Sequence, residues 1–563
     1  MSLTASMWTG VSGLLVHGEK MNVLGNNIAN VNTVGFKGAR MDFEDFINQD
    51  TYSAAGVTQV GRGASIGAIY ADHSQGAFES TNESTDLAIG GKGFFQVKPK
   101  GEDTAYYTRA GNFRFDNDGY LTDPHGYVLQ GWQIERTKNT LVTSAVAATS
   151  TSSKIKGSGV PVDIRLDGFT ADPQHTQNVT MALNLDSRPG GDNTRIAGPP
   201  TQPYTALFQA WNGTANPPIG SSAFAYQNTI KVYDEAGTAH NLTVYLDQVA
   251  STDVTNATPG QKQWEYIVTV PPSEDNRMYD DPAALPPVVG GKLNTTSKGG
   301  VLMMGTLTFD SAGQLVNQTA FSYKGNTTVA AGANPSGDPT SLANWEPTKI
   351  STNGYPLMVA NFSGVAGANT VGSADATPYL MELNFGLKNT NLATPWTPAT
   401  ANAAGIGNNN ALLPQMSSTQ RQSTTTTSYS GASSTTFQKQ DGYTFGFLQN
   451  VTVDRDGIMR GKYSNGVTLD LYQVTLYDFS SKQNLRREGG NLFSETRESG
   501  DPLPGPANGN GLGTINSNSL EQSNVDLSKE FVQMITTQRG FQSNSKVITT
   551  TDTMLETVVN MKR

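Results

Sequence analysis

The chain has 563 residues, of which 36% are hydrophobic and only 15% are charged, and its formal net charge is −10. At roughly 100–200 residues per domain, this length predicts three to five domains. The acidic balance, without a Lys/Arg cluster to follow a phosphate backbone, argues against a nucleic-acid partner, and the absence of cysteine excludes disulfides, thiolate metal ligands and a cysteine nucleophile.

The first predicted element is an amphipathic helix over residues 1–31. Its apolar side chains recur in alternating steps of four and three, which is the 3.5-residue period of a coiled-coil seam. Gly10 and His17 interrupt the series, and repeated Asn residues followed by Gly35 favour turns that end the helix. The N-terminal seam consists of Leu3, Met7, Leu14, Met21, Leu24, Ile28 and Val31.

An extended connecting segment is predicted over residues 32–75, and from about Gly76 the apolar pattern changes to the period of two that is typical of strands. Four segments have the form strand, Asp-x-x-Gly, strand. This pattern predicts antiparallel hairpins in which the Asp carboxylate caps the turn and the Gly takes a positive φ angle. The four turns begin at Asp116, Asp234, Asp310 and Asp454.

Two Ser/Thr-rich stretches, residues 144–158 and 417–436, bury little apolar area and are predicted to be linkers or exposed loops. Residues 76–143 and 437–487 share the same hairpin style outside these stretches. We therefore interpret them as two halves of one β-domain, with an outer β-rich region of residues 144–436 inserted between them. Residues 488–519 form a second extended connection in this scheme.

A second amphipathic helix is predicted near the C-terminal end, within a terminal domain made of residues 1–31 and 520–563. The series includes the polar Gln538 and Thr551. The C-terminal seam consists of Leu527, Phe531, Met534, Phe541, Val547, Met554, Val558 and Met561. Neither helix can bury its stripe alone, so we expect the two helices to pack on each other and then on other copies of the chain, because Trp8, Val11 and Leu15 remain uncovered beside the first seam.

The predicted architecture is therefore mainly β with long terminal α-helices. It is a nested multidomain rod, with an α-helical coiled-coil terminal domain and antiparallel β-domains, one inserted into another. A helical hairpin confined to one chain is the simpler alternative. A membrane-surface helix is disfavoured because basic residues are sparse on the polar faces, and no apolar run reaches the ~18 residues of a membrane span.

Residues that could carry catalysis are scattered along the chain. The five histidines are isolated from one another, and none of the HExxH, GxxxxGK[ST] or GxSxG motifs occurs. The loops that contain Gly119 and Gly457 fail as EF-hands, because acidic residues are missing from the first and twelfth positions. We therefore expect neither an enzyme nor a metal or cofactor site, and we expect His17 to be a packed structural residue.

Both chain ends resemble the rod–hook family of bacterial flagellar axial proteins. The resemblance lies in Met7-Trp8-Thr9-Gly10-Val11-Ser12-Gly13-Leu14, in Asn27 through Gly35-Phe36-Lys37, in Leu520-Glu521-Gln522-Ser523-Asn524-Val525-Asp526-Leu527, and in the run from Met534 to Asn544. The chain's length and its segments Tyr107 to Phe113 and Asn184 to Ser187 look like those of the hook members of the family. Rod members are shorter and lack the large insert.

The resemblance implies a tubular helical homopolymer that joins the motor to the filament as a flexible universal joint and lies outside the cell. It also implies export, unfolded and without a cleaved signal peptide, through the flagellar type III apparatus. Family subunits carry a Phe-x-x-x-hydrophobic export signal, and Phe43 to Ile47 matches it. The implied partners are other copies of the chain, the hook cap, the distal rod, the hook–filament junction and the export gate.

Three alternatives remain open from the sequence. The chain could be a distal rod subunit or a hook-associated axial subunit, which differ from a hook subunit in the curvature of their polymers. It could instead be a secreted adhesive or carbohydrate-active β-protein with a site in the insert. Phe43 and Ile47 could also be plain apolar anchors beneath a loop.

Overall fold

A computed structural model describes residues 3–53, 56–134, 159–166, 169–188, 202–284, 286–323, 335–371, 379–399 and 402–561. The protein is mainly β, with several antiparallel sheets and long helices near both ends of the chain, as the sequence predicts. The predicted linker at residues 144–158 and the side chain of Leu3 lie outside this description.

The described residues form two compact units. One unit, the terminal unit, draws on residues 1–136, 153–170 and 447–563, and the other, the central unit, on residues 171–446. No described helix is long and apolar enough to cross a membrane.

The terminal unit contains the two long helices, Leu3–Ala29 and Leu527–Met561. The first helix ends in the predicted Asn-rich turn, where the Asn30 amide side chain donates to the carbonyl of Asn26 at 2.9 Å. The second helix begins after Asp526, whose carboxylate accepts from the backbone N–H of Ser528 at 2.8 Å and so caps the helix.

An arm of paired strands follows the first helix. Ala39–Asp45 pairs antiparallel with Ala64–Ala71, and Gln49–Ser53 pairs with Gly56–Val60. The segment predicted to be an extended connection is thus a β-hairpin arm. Its base contacts the first helix, because the backbone N–H of Ala64 donates to the hydroxyl of Ser12 at 3.3 Å.

The β-part of the terminal unit is a large sheet whose longest strand, Thr468–Asp478, pairs antiparallel with Ile458–Tyr463 and Tyr127–Gln133. Leu129, Phe95 and Val474 are buried in its core. The other strands of this sheet are Phe94–Pro99, Tyr106–Thr108, Arg114–Phe115, Leu121–Thr122, Val162–Asp163, Thr170–Ala171, Gly446–Val453, Arg486–Gly489, Leu492–Ser494 and Leu503–Pro506. Two strand pairs join the sheet region to the helices: Leu87–Gly90 with Thr514–Ser517, and Phe78–Ser80 with Ser519–Glu521.

The central unit is built on a second antiparallel sheet, in which the strand Val301–Phe309 is buried along its whole length. Its strands are Tyr226–Tyr233, Ala239–Val249, Lys262–Thr269, Val301–Phe309, Leu315–Gln318, Phe321–Tyr323 and Trp345–Pro347. A smaller sheet has the strands Leu357–Val359, Leu380–Asn384, Asn178–Asn184 and Ser434–Gln440. Short two-stranded pairs and the five-residue helix Ala206–Ala210 complete this unit. The pairs are Met278–Asp281 with Val288–Lys292, Leu387–Asn389 with Thr419–Arg421, and Trp396–Thr397 with Gln415–Met416.

All four predicted Asp-x-x-Gly hairpins are present. At the first, the carboxylate of Asp116 accepts from the backbone N–H of Asp118 at 2.9 Å and of Tyr120 at 2.8 Å. The glycine at the end of each turn has φ between +76° and +82°, where a side chain would be strained. The flanking strands pair antiparallel in every case.

The stretch at residues 417–436, predicted to be a linker or exposed loop, has exposed residues at 418–424 but is also tied into the sheets of the central unit. Thr426 is fully buried, and its backbone N–H donates to the carbonyl of Phe385 at 2.9 Å. Strand Ser434–Gln440 begins inside the same stretch and pairs with Asn178–Asn184. The stretch folds because β-branched Thr suits a half-buried strand and its hydroxyl satisfies buried backbone groups.

Glu265 is a buried carboxylate in the sheet of the central unit. It lies directly across from Asp247 in the strand register, and its Oε2 accepts from the backbone N–H of Leu207 at 3.0 Å. Burial raises the pKa of Glu265 well above its ordinary value, and the hydrogen bond from Leu207 opposes this rise while the charge of Asp247 adds to it. The folded state therefore favours the protonated form of Glu265.

Replacing Glu265 by glutamine is expected to stabilise the central unit at alkaline pH. Because the folded pKa lies above the unfolded one, the stability contributed by Glu265 is complete below pH ~4.5 and falls as the pH rises through the folded pKa. Glutamine keeps the acceptor for Leu207 and carries no charge to lose. Thermal unfolding of both proteins at pH 5 and pH 8.5 checks this, and equal destabilisation by the variant at both pH values would contradict it.

Candidate assembly surface

The two terminal helices pack antiparallel along their length. A Cβ atom added to Gly10 would lie 3.0 Å from Ile548, and one added to Gly13 would lie 2.6 Å from Asn544. Further along, a Cβ added to Gly540 would lie 2.7 Å from the ring of His17. Glycine therefore lets the two helices approach more closely than larger residues would allow.

The N-terminal helix is anchored at its C-terminal end by Asn27, which is buried. Its amide donates to the carbonyl of Ala39 at 2.9 Å and to Glu530 of the other helix at 3.3 Å, while its Oδ1 accepts from the N–H of Ala39 at 2.9 Å. One side chain thus joins both helices to the hairpin arm.

The predicted N-terminal seam is partly buried within the chain. Leu24 is buried, and the described remainder, Met7, Leu14, Met21, Ile28 and Val31, is half-buried. Val16, which the 3.5-residue pattern does not include, is as deeply buried as Leu24. Trp8 and Leu15 are each 67% exposed.

The C-terminal helix buries small polar residues rather than its predicted seam. Thr537 and Thr551 are its buried residues, whereas most seam residues remain exposed to solvent. Of the predicted seam, only Met534 is half-buried. The exposed apolar set of this helix consists of Leu527, Phe531, Val532, Ile535, Phe541, Val547, Met554, Val558, Val559 and Met561.

This arrangement leaves a large apolar surface without cover in the single chain. At 3.6 residues per turn, Ile535 lies about 200° around the helix from Thr537, on the side away from the buried residue. Exposed apolar surface on this scale marks an interaction site in a soluble protein. The contact within the chain leaves it exposed, because the helices approach closely at glycines and bury Thr537 and Thr551 instead.

A buried charge cluster of Lys37, Arg109 and Glu521 lies where the helices meet the β-part of the terminal unit. The Nζ of Lys37 donates to Oε1 of Glu521 at 2.6 Å, and Nη1 of Arg109 donates to Oε2 at 3.1 Å. The side chains of Lys37 and Glu521 are fully buried, and that of Arg109 is 4% exposed. The backbone N–H of Gly76 also donates to Oε1 at 3.0 Å.

Burial lowers the pKa of Lys37 and of Arg109, and Glu521 opposes the shift in both cases. One carboxylate is therefore shared by two buried cations and offsets only part of their combined charge. The pattern of the sequence did not reveal this cluster, because Lys37 and Glu521 are 484 residues apart. The sequence marked the cluster only indirectly: Lys37, Arg109 and Glu521 each lie in a segment that resembles the flagellar family.

The predicted export residues Phe43 and Ile47 lie on the hairpin arm, Phe43 within the strand Ala39–Asp45 and Ile47 just beyond it. The ring of Phe43 packs edge-on against His17 at 5.5 Å and lies beneath the ammonium of Lys20 at 5.0 Å. Burial, followed by the charge of Lys20, lowers the pKa of His17, which favours a neutral ring in this packed position. Ile47 is 92% exposed.

Among the residues that the structure describes, no group of three or more His, Cys, Asp or Glu side chains could hold a metal ion. The side chains that come together in the terminal unit instead pack the two helices or form the buried ion pairs of Glu521 with Lys37 and Arg109.

Family models match four segments of the chain in order. Residues 7–37 match a flagella basal body rod protein model, and residues 88–162 match the flagellar hook protein FlgE/F/G D1 domain. Residues 202–443 match the flagellar basal body protein FlaE D2 domain, and residues 516–561 match the C-terminal model of flagellar basal body rod FlgEFG proteins.

Relatives match along nearly the entire chain. The flagellar hook protein FlgE of Treponema pallidum is 31% identical, and that of Borreliella burgdorferi is 30% identical, each over 99% of both chains. The Escherichia coli protein of the same name is 26% identical over 98% of both. A crystal structure of Helicobacter pylori FlgE2 overlaps 79% of this chain and all of its own, at 15% identity and a TM-score of 0.44. From its full-length identity to such relatives, the chain belongs to the flagellar hook protein FlgE family.

Proposed function

We propose that the chain is the structural subunit of a flagellar hook and polymerises into a helical tube that works as a flexible universal joint between motor and filament. The observation that carries the proposal is the exposed apolar set on the C-terminal helix, together with Trp8 and Leu15 on the N-terminal helix. Neighbouring copies would bury this surface. The role is one of assembly and torque transmission rather than catalysis.

Transmission of torque requires a stiff inner layer. The terminal helices would supply it as a continuous coiled layer, since ~25 cal/mol per Å² of buried apolar surface is gained at every subunit. The charged fraction of the whole chain is only 15%. Outer β-surfaces with so few charges would slide past one another as one side of the tube is compressed. The tube would then bend easily, while the helical inner layer resists twisting.

The proposed partners follow from this position in the flagellum, outside the cell. They are other copies of the chain, the hook cap, the distal rod protein, the hook–filament junction protein and the type III export gate. The chain would reach the hook unfolded, with Phe43 and Ile47 as the ends of the signal that the gate reads.

Replacing Ile47 by aspartate is expected to reduce export while leaving the folded chain intact. Ile47 is 92% exposed in the fold, so its loss costs little stability. A gate that buries this side chain would lose on the order of 2 kcal/mol, which corresponds to at least tenfold less secretion. Quantifying the chain in the culture medium of flagellated cells checks this. Wild-type secretion by the variant would overturn the assignment of Phe43 and Ile47 as an export signal.

The experiment that tests the proposed function is deletion of residues 525–563. This cut removes the C-terminal helix and keeps Glu521, so that the buried charge cluster stays complete. We expect a soluble, folded monomer, while the full-length chain under identical conditions forms tubes in negative-stain micrographs. Tubes formed by the truncated chain would overturn the proposal.

A further inference from the structure

The antiparallel helix pair has a register in which the C-terminal helix projects beyond its partner. Gly10 lies beside Ile548, Gly13 beside Asn544 and His17 beside Gly540, so the paired residue numbers add to 557 or 558. The N-terminal helix begins at Leu3, whose counterpart in this register is near residue 554. Residues 555–561 therefore form an overhang of about two helical turns, or ~10 Å.

The overhang is apolar and exposed. Val558 is 54% exposed, Val559 69% and Met561 81%. Two cationic residues, Lys562 and Arg563, follow it in the sequence. The described part of the partner helix, which begins at Leu3, ends short of these side chains.

A cavity of about 620 Å³ lies at the opposite end of the same helix pair. The end of the N-terminal helix, the strand Ala39–Asp45 and the beginning of the C-terminal helix surround it. Apolar side chains of Val23, Leu24, Met41 and Val525 contribute to its wall.

The cavity lining also carries charged side chains, with a small excess of carboxylates. Asp72, Asp526 and Glu530 line it together with the ion pair of Arg40 and Asp42, whose atoms lie 2.9 Å apart. Lys20 and Lys529 line it too, which leaves one more carboxylate than cation. An apolar segment that ends in basic residues fits this combination of wall and charge.

We propose that this cavity receives the C-terminal overhang of a second copy of the chain, so that helix pairs stack end to end. This proposal rests on the proposed function, and it specifies which surfaces of neighbouring subunits contact each other in the polymer. Because the overhang and the cavity lie at opposite ends of the pair, the contact joins two different patches. Such a heterologous contact continues into an open filament, whereas a contact between identical patches stops at a dimer.

Disulfide trapping tests the contact cleanly, because the chain contains no cysteine. The test variant carries Val23→Cys with Val559→Cys. In the observed register Val23 lies opposite residue 534, which is 25 residues, or about 38 Å, from position 559 along the helix. A disulfide needs Cα atoms within about 7 Å, so any bond between these positions must join two chains.

After assembly and mild oxidation, a nonreducing gel is expected to show a ladder of covalent multimers. Either single variant should give monomers and dimers only. Gln533→Cys with Val559→Cys serves as a second pair, since Gln533 also lines the cavity and is half-buried. Asn22→Cys with Val559→Cys is the matched control, because Asn22 is exposed beside Val23 and does not line the cavity; it should give at least tenfold less ladder.

The outcomes separate this inference from the function on which it rests. Polymers that form normally but show no ladder with either pair would overturn the stacking contact and leave the hook assignment standing. Covalent products that stop at dimers in the test pairs would show a contact between identical patches and overturn it as well. A cysteine-free chain that forms no polymer would contradict the proposed function itself.

Discussion

Replacing Val532 and Ile535 together by aspartate is expected to abolish polymerisation while the monomer stays folded. The two side chains are 62% and 52% exposed on the C-terminal helix, so the single chain gains little from them. In the polymer we expect neighbouring copies to bury both, and a charge in that position would be left without a counter-ion.

The expected size of the effect follows from burial. Fully burying an aliphatic side chain is worth about 1.5–3 kcal/mol, and the two side chains are a little over half exposed. Covering both therefore contributes about 2–3 kcal/mol per subunit, or roughly a 30- to 100-fold rise in the concentration needed for assembly. Sedimentation at increasing concentration measures it. The matched control, Val532→Ile with Ile535→Val, keeps the apolar area and should assemble as the wild type does. Unchanged assembly of the aspartate variant would place the contact elsewhere.

Replacing Glu521 by glutamine is expected to destabilise the terminal unit strongly. The substitution removes the one carboxylate that both buried cations contact, at 2.6 Å from Lys37 and 3.1 Å from Arg109. Breaking a buried pair in this way costs about 3–5 kcal/mol. For a unit of this size that lowers the unfolding temperature by about 10 °C.

Calorimetry of the full chain measures this shift, since the terminal and central units form separate compact bodies of contacts. Glu102→Gln is the control, because it removes an exposed carboxylate from the same unit. A drop of less than about 2 °C for the Glu521 variant would mean that the cluster contributes little to stability. A comparable drop in unfolding temperature for Glu102→Gln would mean that the loss of one negative charge, and not the buried cluster, destabilises the unit.

Local chemistry in the sequence predicted much of the fold. The turns at Asp116, Asp234, Asp310 and Asp454 require only a carboxylate and a glycine at fixed spacing, and all four formed. The end of the N-terminal helix was also predictable, because turn-forming Asn residues are short-range signals.

Features that depend on distant residues were not predictable. The Ser/Thr-rich stretch at residues 417–436 looked like a linker because its composition offers little apolar area, yet Thr426 is buried by a partner strand more than 200 residues away. The seam pattern found seven of the ten exposed apolar residues of the C-terminal helix and missed Val532, Ile535 and Val559. It did not identify the surface that the helix uses within the chain. At that surface the helices approach closely at Gly10, Gly13 and Gly540, and the buried side chains of the C-terminal helix are those of Thr537 and Thr551.

The most direct test of burial between subunits is the accessibility of Trp8 to acrylamide before and after assembly. Trp8 is 67% exposed, whereas the other five tryptophans, Trp132, Trp211, Trp264, Trp345 and Trp396, are at most 8% exposed. Quenching of the monomer therefore reports on Trp8 almost alone. We predict that assembly abolishes this quenching and shifts the emission to shorter wavelength; a Trp8 that stays as accessible in the polymer as in the monomer would contradict the account.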